Sequence, residues 1–291
     1  MKLDGRREST NVDDRRHGGG RRLALGGGIV GIIIAALITW ISGGDMGSVM
    51  QVVGDGIQQQ ITAEGQAGDH EFTAEEDSLA KFSRQILAST EDVWTEQFRQ
   101  MGKQYNAPKM VLYTGSVQTS CGNGSASMGP FYCGGDQCVY LDLSFFSNMK
   151  REIGARGEFA NAYVIAHEVG HHIQQELGIL GRAHQKMSQL SKAEANEISV
   201  RIELQADFFA GLWGHYENKT FNSISDKEIA EAIDCAHKIG DNYLQQKAQG
   251  YTVPESFTHG TSEQRMRWFK LGLKTGDINQ GDTFSKSKDE L

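Results

Sequence analysis

His167-Glu168-Val169-Gly170-His171 sets two imidazoles four residues apart with a carboxylate between them. On a helix, positions i and i+4 share a face, so both rings can reach one metal ion. Neutral imidazole is a common zinc donor. Glu168, one position on, projects beside the metal and can take the proton of a water whose pKa zinc lowers. Composition alone yields such a pattern in on the order of one in a hundred chains of this length. The surrounding segment, 158–178, offers Phe159, Tyr163, Val164, Ile173 and Leu177 as an apolar face that holds the helix in a core. The alternative, a surface helix that merely carries histidine, needs no third ligand. The metal reading does.

Glu203 supplies one. The segment 202–213, IELQADFFAGLW, is too apolar for a solvated face, yet holds Glu203 and Asp207 at i and i+4. Two carboxylates directed into one packed interface repel unless a cation stands between or beside them. Zinc would be that cation, with Glu203 as ligand and Asp207 accepting the outer N–H of a ligand histidine. A pair of salt-bridged structural acids is the competing explanation. Small Ala206, Ala210 and Gly211 would allow this helix and the His167–His171 helix to approach closely.

His259 precedes Thr261-Ser262-Glu263-Gln264, a capping box, and so lies just before a helix start. It reads either as an oxyanion stabiliser or substrate contact opposite the zinc, with Arg265 in support, or as a loop histidine of structural use. His172 points about 100° away from its neighbour His171 on a helix and reads as structural. His215 and Trp213 read as core or rim. Cys121 and Cys133 bracket a glycine-rich loop that a bridge would restrict, and Cys138 with Cys235 is a possible second pair. Four cysteines allow three pairings, and no C-x-x-C favours a cysteine metal site.

The elements that must position these groups are mostly helical. Thr73–Glu76 is a capping box ahead of a helical apolar pattern (Leu79, Phe82, Ile86, Leu87, Trp94, Phe98, Met101) that runs to about Gly102. The segments 109–114 and 138–143 read as strands on either side of a glycine-marked loop region. Helices are expected at about 144–153, 157–177, 193–217, 225–249 and 261–273, with Gly178 at a helix end. The fold class expected is α+β, a mostly helical catalytic domain with a small β-sheet, preceded by one transmembrane helix.

That last expectation rests on residues 23–42, LALGGGIVGIIIAALITWIS, which carry no charge and would reach roughly 30 Å as a helix. A cleaved signal peptide lacks its A-x-A site here. Residues 1–22 carry a net charge of +3, leaving −11 for the rest of a chain whose formal net charge is −8. The positive-inside rule then keeps 1–22 in the cytoplasm, makes 23–42 a single-pass membrane anchor and 43–72 a flexible linker, and puts a domain at 73–276 outside. There an oxidising space would permit the disulfide. A polar tail, expected to fray, would close the chain at 277–291. It ends Lys288-Asp289-Glu290-Leu291, which matches a retrieval signal and is read as coincidence. The acidic balance argues against nucleic acid as a partner.

The chain resembles a family of bacterial neutral zinc metallopeptidases. The resemblance rests on GRREST-NVDDRR (5–16), GPFYC…DQCVYLDL (129–143), AHEVGHHIQ (166–174), ELQADFFAGLW (203–213) and FTHGTSEQRMRWFKLGLKTGD (257–277). It covers nearly the whole chain. The 203–207 stretch is also similar to the E-x-x-A-D arrangement of membrane-associated gluzincins, and His259 with Arg265 to their H-P-x-x-x-x-R segment. The resemblance implies a zincin domain of gluzincin type, a membrane anchor and one zinc per chain. It gives Glu203 as third ligand beside His167 and His171, and Asp207 in support. Gly134 departs from the proline expected after Cys133, and Cys138 and Cys235 look unusual. The function implied is hydrolysis of peptide or protein substrates outside the cytoplasm. The other class to weigh is a zincin-fold envelope binding or assembly protein whose zinc is structural. Oligomeric state is not legible in the sequence.

Overall fold

Thr73 opens the first long helix as read from the sequence: its hydroxyl accepts from the Glu76 N–H while Glu76 accepts from the Thr73 N–H. This computed structural model describes residues 1–16 and 72–291. That helix, α1 (Ala74–Gln100), buries Ile86, Leu87, Trp94 and Phe98 at helical spacing. The strands β1 (Val12–Asp14), β2 (Lys109–Tyr113), β5 (Phe131–Cys133) and β6 (Cys138–Asp142) form a sheet in the order β1-β2-β6-β5, parallel except for the β5–β6 pair. Alternation divides the sheet's faces. Met110, Leu112, Val139 and Leu141 join the main helical core, whereas Val111, Tyr113, Cys133 and Tyr140 face the other way. A hairpin of β3 (Ser116–Thr119) and β4 (Gly122–Ser125) covers that second face with Val117.

The remaining helices are α2 (Ser144–Glu152), α3 (Glu158–Glu176), α4 (Ile179–Met187), α5 (Lys192–Phe221), α6 (Asp226–Lys238), α7 (Asp241–Gln249) and α8 (Ser262–Thr275). Capping boxes at Ser191, Ser225 and Thr261 start α5, α6 and α8. Two departures from the sequence reading stand out. The stretch 225–249 is not one helix but α6 and α7, broken at Ile239–Gly240. A Cβ on Gly240 would lie 2.4 Å from the Ser262 nitrogen, so the chain there is shaped by the start of α8. The short helix α4 was not anticipated; it follows Gly178, whose φ of 69° ends α3.

α3, α5 and α8 pack with almost no side-chain spacer. An added Cβ on Gly170 would sit 2.9 Å from the Ala206 carbonyl oxygen, which marks the closest approach of α3 to α5. Gly211 instead serves α8: a Cβ there would meet the Phe269 oxygen at 2.1 Å, and one on Gly272 would meet the Phe208 oxygen at the same distance. Around these contacts Phe159, Phe208, Phe209, Trp213 and Phe269 are fully buried.

The N-terminal residues correct the expected membrane topology. Strand β1 pairs with β2 in register Val12↔Met110, Asp13↔Val111, Asp14↔Leu112. Arg84 reaches Asp14 at 2.6 Å, and Arg6 makes two bonds, 2.9 and 3.1 Å, to the wholly buried carboxylate of Glu217 on α5. Residues 1–16 thus belong to the same folded unit as 72–291. A single crossing that leaves the N-terminus in the cytoplasm and the domain outside cannot hold a strand and its partner in one sheet. Among the described residues no helix is long and apolar enough to cross a membrane. The expected anchor, 23–42, and most of the linker lie outside the described residues. The β1–β2 pairing therefore contradicts the expected single-pass localisation and the transmembrane part of the expected fold class, while the mostly helical domain with a small sheet is observed. The C-terminal residues also pack rather than fray: Arg201 bonds the Thr283 and Lys286 carbonyls, Trp268 donates to Leu291 at 3.1 Å, and the Leu291 side chain is buried.

Arg6→Met tests this placement. Glu217 is left with the Ser89 and Ser223 hydroxyls but without its cation. Chemical denaturation should show a loss of about 3–5 kcal/mol, the usual cost of removing one partner of a buried pair. An unchanged midpoint would mean that residues 1–16 do not dock as described.

Candidate metal centre

His167 and His171 lie one turn apart on α3, and Glu203 faces them from α5. One donor atom from each falls within 4.8 Å of the others. Nε2 of His167 is 3.1 Å from Glu203 Oε2, and Nε2 of His171 is 3.5 Å from Oε1. The opposite ring nitrogens are engaged elsewhere, and their partners fix the tautomers. Nδ1 of His167 donates to Asp207 Oδ1 at 2.8 Å. Nδ1 of His171 meets Gln174 Oε1 at 2.9 Å. That amide cannot be turned round, because Gln174 Nε2 donates to the Ile202 carbonyl at 2.7 Å and to Gln205 Oε1 at 3.1 Å. Each Nδ1 is thereby held as a donor and each Nε2 faces the Glu203 carboxylate. Burial lowers the His167 pKa, but Asp207 and Glu203 raise it to about 10, so the His167 Nε2–H donates to Glu203 where a metal ion would replace that proton. A proton or a metal ion must stand between these groups, and a two-imidazole, one-carboxylate set is a zinc donor set.

Asp207 is the hub behind these ligands. It is fully buried and accepts from Tyr163 Oη at 2.5 Å, Arg265 Nε at 2.8 Å and Arg265 Nη2 at 3.0 Å, in addition to His167. Burial works against its charge, but Arg265 and His167 hold its pKa down at about 2. Burial likewise opposes the charge of Glu203, and His171, His259 and His167 hold that carboxyl well below the ordinary range. Glu168 behaves oppositely. Burial pushes it up to about 7, against the pull of His167, Arg265 and His259. A buried carboxyl poised near neutrality is suited to taking and giving a proton.

The structure brings together His167, Glu168, His171, Glu203, Asp207 and Arg265. His259 is held over the same site by Asp241, whose Oδ2 accepts from the backbone N–H groups of Thr258, His259 and Gly260 at 2.8, 2.7 and 3.0 Å, with Oδ1 3.2 Å from His259 Nδ1. Burial lowers the His259 pKa, but Glu203 and Asp241 outweigh it and leave it raised. His172 turns away, as expected, to Tyr132 and the Asn106 carbonyl. Cys121 and Cys133 are bridged, Cα–Cα 5.9 Å. The possible second pair does not form: Cys138 lies on β6 and Cys235 is buried on α6 against Met149. Three residues escaped the sequence reading. Gln174 carried a signal, standing three places from His171 on the same helical face. Tyr163, assigned only to the apolar face, and Asp241, placed mid-helix, carried none.

Asp207→Asn keeps the size of the side chain and removes its charge. It should leave Arg265 buried without its counter-ion and His167 without its orienting acceptor. Competition with a chelator should read zinc affinity about 10–100-fold weaker, while substitution of exposed Glu263→Gln leaves it unchanged.

Residues 1–284 match the family described as "Putative neutral zinc metallopeptidase". "Uncharacterized protein YpfJ" of Escherichia coli (strain K12) is 46% identical over 295 residues, spanning 99% of this chain and 100% of that protein. "Uncharacterized protein Rv2575" of Mycobacterium tuberculosis (strain ATCC 25618 / H37Rv) is 43% identical over 191 residues, 62% of this chain and 64% of that protein. No solved structure matches the chain. On the match across 1–284, which contains the whole His167–His171–Glu203 group and its supports, the chain belongs to the neutral zinc metallopeptidase family.

Proposed function

We propose that the protein is a zinc-dependent peptidase that uses Glu168 as general base and acid. The observation that carries this reading is the convergence of His167 Nε2, His171 Nε2 and the Glu203 carboxylate beside the buried carboxyl of Glu168. One zinc per chain would be held by those three side chains. Zinc bound there supplies Lewis acidity, lowering the pKa of a water and polarising a peptide carbonyl.

The chain's own groups do the rest. Glu168 takes the proton of the attacking water on its carboxylate and delivers it to the leaving amine nitrogen. His259, fixed by Asp241, would donate to the oxygen that gains charge as the carbonyl carbon becomes tetrahedral. Asp207 keeps a proton on His167 Nδ1, and Gln174 keeps one on His171 Nδ1, so both Nε2 atoms stay available. Arg265 holds the Asp207 charge in the core and so acts through it.

A structural zinc would be closed by a fourth protein ligand. Among the described residues the donor group consists of His167, His171 and Glu203 alone, which leaves room for water and favours the enzyme.

Glu168→Gln separates the two readings. The amide preserves size, and Glu168 is not among the proposed ligands, so zinc content and fold should match wild type. Digestion of a peptide library should slow by about two to four orders of magnitude. His171→Ala should lose metal and activity together. Equal digestion by wild type and Glu168→Gln, each with zinc bound, would contradict catalysis by this site.

A further inference from the structure

The cysteine left over by the metal site stands next to the one disulfide among the described residues. Cys138 opens β6, and its antiparallel register partner on β5 is Cys133, the buried half of the Cys121–Cys133 bridge. Directly opposed residues point to the same face of a sheet. Cys133 and Cys138 do so, in the small cluster with Val111, Tyr113, Val117 and Tyr140. Opposed Cα atoms lie about 4.5–5.5 Å apart in an antiparallel pair, inside the roughly 4.4–6.8 Å window of a disulfide. Cys133 is thus placed to bond either of two sulfurs: Cys121, in the exposed turn of the β3–β4 hairpin, or Cys138.

We propose that Cys121, Cys133 and Cys138 form a thiol–disulfide exchange site that moves the bridge between Cys121–Cys133 and Cys133–Cys138. The step is an isomerisation. Cys138 loses its proton to solvent, its thiolate attacks the Cys133 sulfur, the Cys133–Cys138 bond forms, and the Cys121–Cys133 bond breaks. Cys121 leaves as a thiolate and takes up a proton, so no oxidant or reductant is consumed. Access is built in. Cys138 lines a cavity of about 710 Å³ with Arg15, Lys109, Thr119, Ser120 and Asp136, between the hairpin turn and the sheet. Burial and Asp136 raise the Cys138 pKa against the pull of Lys109, which makes the exchange slow near neutral pH.

The position gives the exchange a mechanical consequence. The resting bridge ties the hairpin to β5, the sheet's edge strand, and the next residue along, Tyr132, bonds His172 of the metal-bearing helix at 3.0 Å. The exchanged bridge staples β5 to β6 and removes the covalent tie to the hairpin, which keeps only its packing through Val117 and the Ser120 N–H bond to Asp136. Cys235 takes no part, being enclosed in the helical core.

Non-reducing peptide mapping tests this on the whole protein. Wild type is incubated with an alkylating probe and no added thiol. The expected product carries the label on Cys121 together with a Cys133–Cys138 bridge, and Cys138→Ser should abolish it. In parallel, Cys121→Ser held in a buffer of reduced and oxidised glutathione should form Cys133–Cys138. The proposal is overturned if wild type labels only at Cys138 with the Cys121–Cys133 bridge intact throughout. It is equally overturned if folded Cys121→Ser keeps Cys133 and Cys138 free or capped by glutathione. Should Cys121→Ser fail to fold, the wild-type map decides alone.

Discussion

A carboxylate with no exposure to water stands where three helices meet. Asp207 on α5 accepts from Tyr163 and His167 on α3 and from Arg265 on α8. Removing an anion from water costs several kcal/mol unless a cation and hydrogen bonds replace the lost hydration. Arg265, itself buried, is that cation, and it anchors further on the Ile239 carbonyl at the α6–α7 break. The ligand geometry follows from this one cluster. His167 can present Nε2 forward only because Asp207 engages Nδ1 behind it, and Glu203 lies one helical turn from Asp207 on the same face.

Close packing makes the cluster reachable. The glycine inside the metal motif, Gly170, lets the backbone of α3 come against Ala206 of α5, and Gly211 with Gly272 does the same for α5 and α8. Short side chains such as Asp207 span the gap only because the axes are that near. The N-terminal residues brace the far end of α5 through Glu217, which also holds Ser89 of α1, whose hydroxyl in turn accepts from Trp213. The helix that carries Glu203 is thus fixed at both ends of its buried half.

What could be read from the sequence was local. The pairs at i and i+4 on α3 and α5 and the capping boxes at Thr73, Ser225 and Thr261 are properties of a single helix, and they appear where expected. What failed was non-local. Val12-Asp-Asp carries no strand pattern of its own and becomes β1 only because β2 offers an edge. Without that pairing, the uncharged stretch 23–42 and the cations before it read as a membrane topology that the sheet rules out. The break at Gly240 is imposed by Ser262, and the grip of Asp241 on His259 exists only once that break has formed. The role of Gly211 was misassigned for the same reason: its size predicts a close neighbour but not which helix provides it.

In the proposed site, two imidazoles and one carboxylate would hold a single zinc with a position left for water. X-ray absorption at the zinc edge of the metal-loaded protein tests it most directly. Zinc held this way should show about four light N or O neighbours near 2.0–2.1 Å, with outer scattering from two imidazole rings and no sulfur. Zinc–sulfur scattering near 2.3 Å, or a shell containing a third imidazole in place of water, would contradict it.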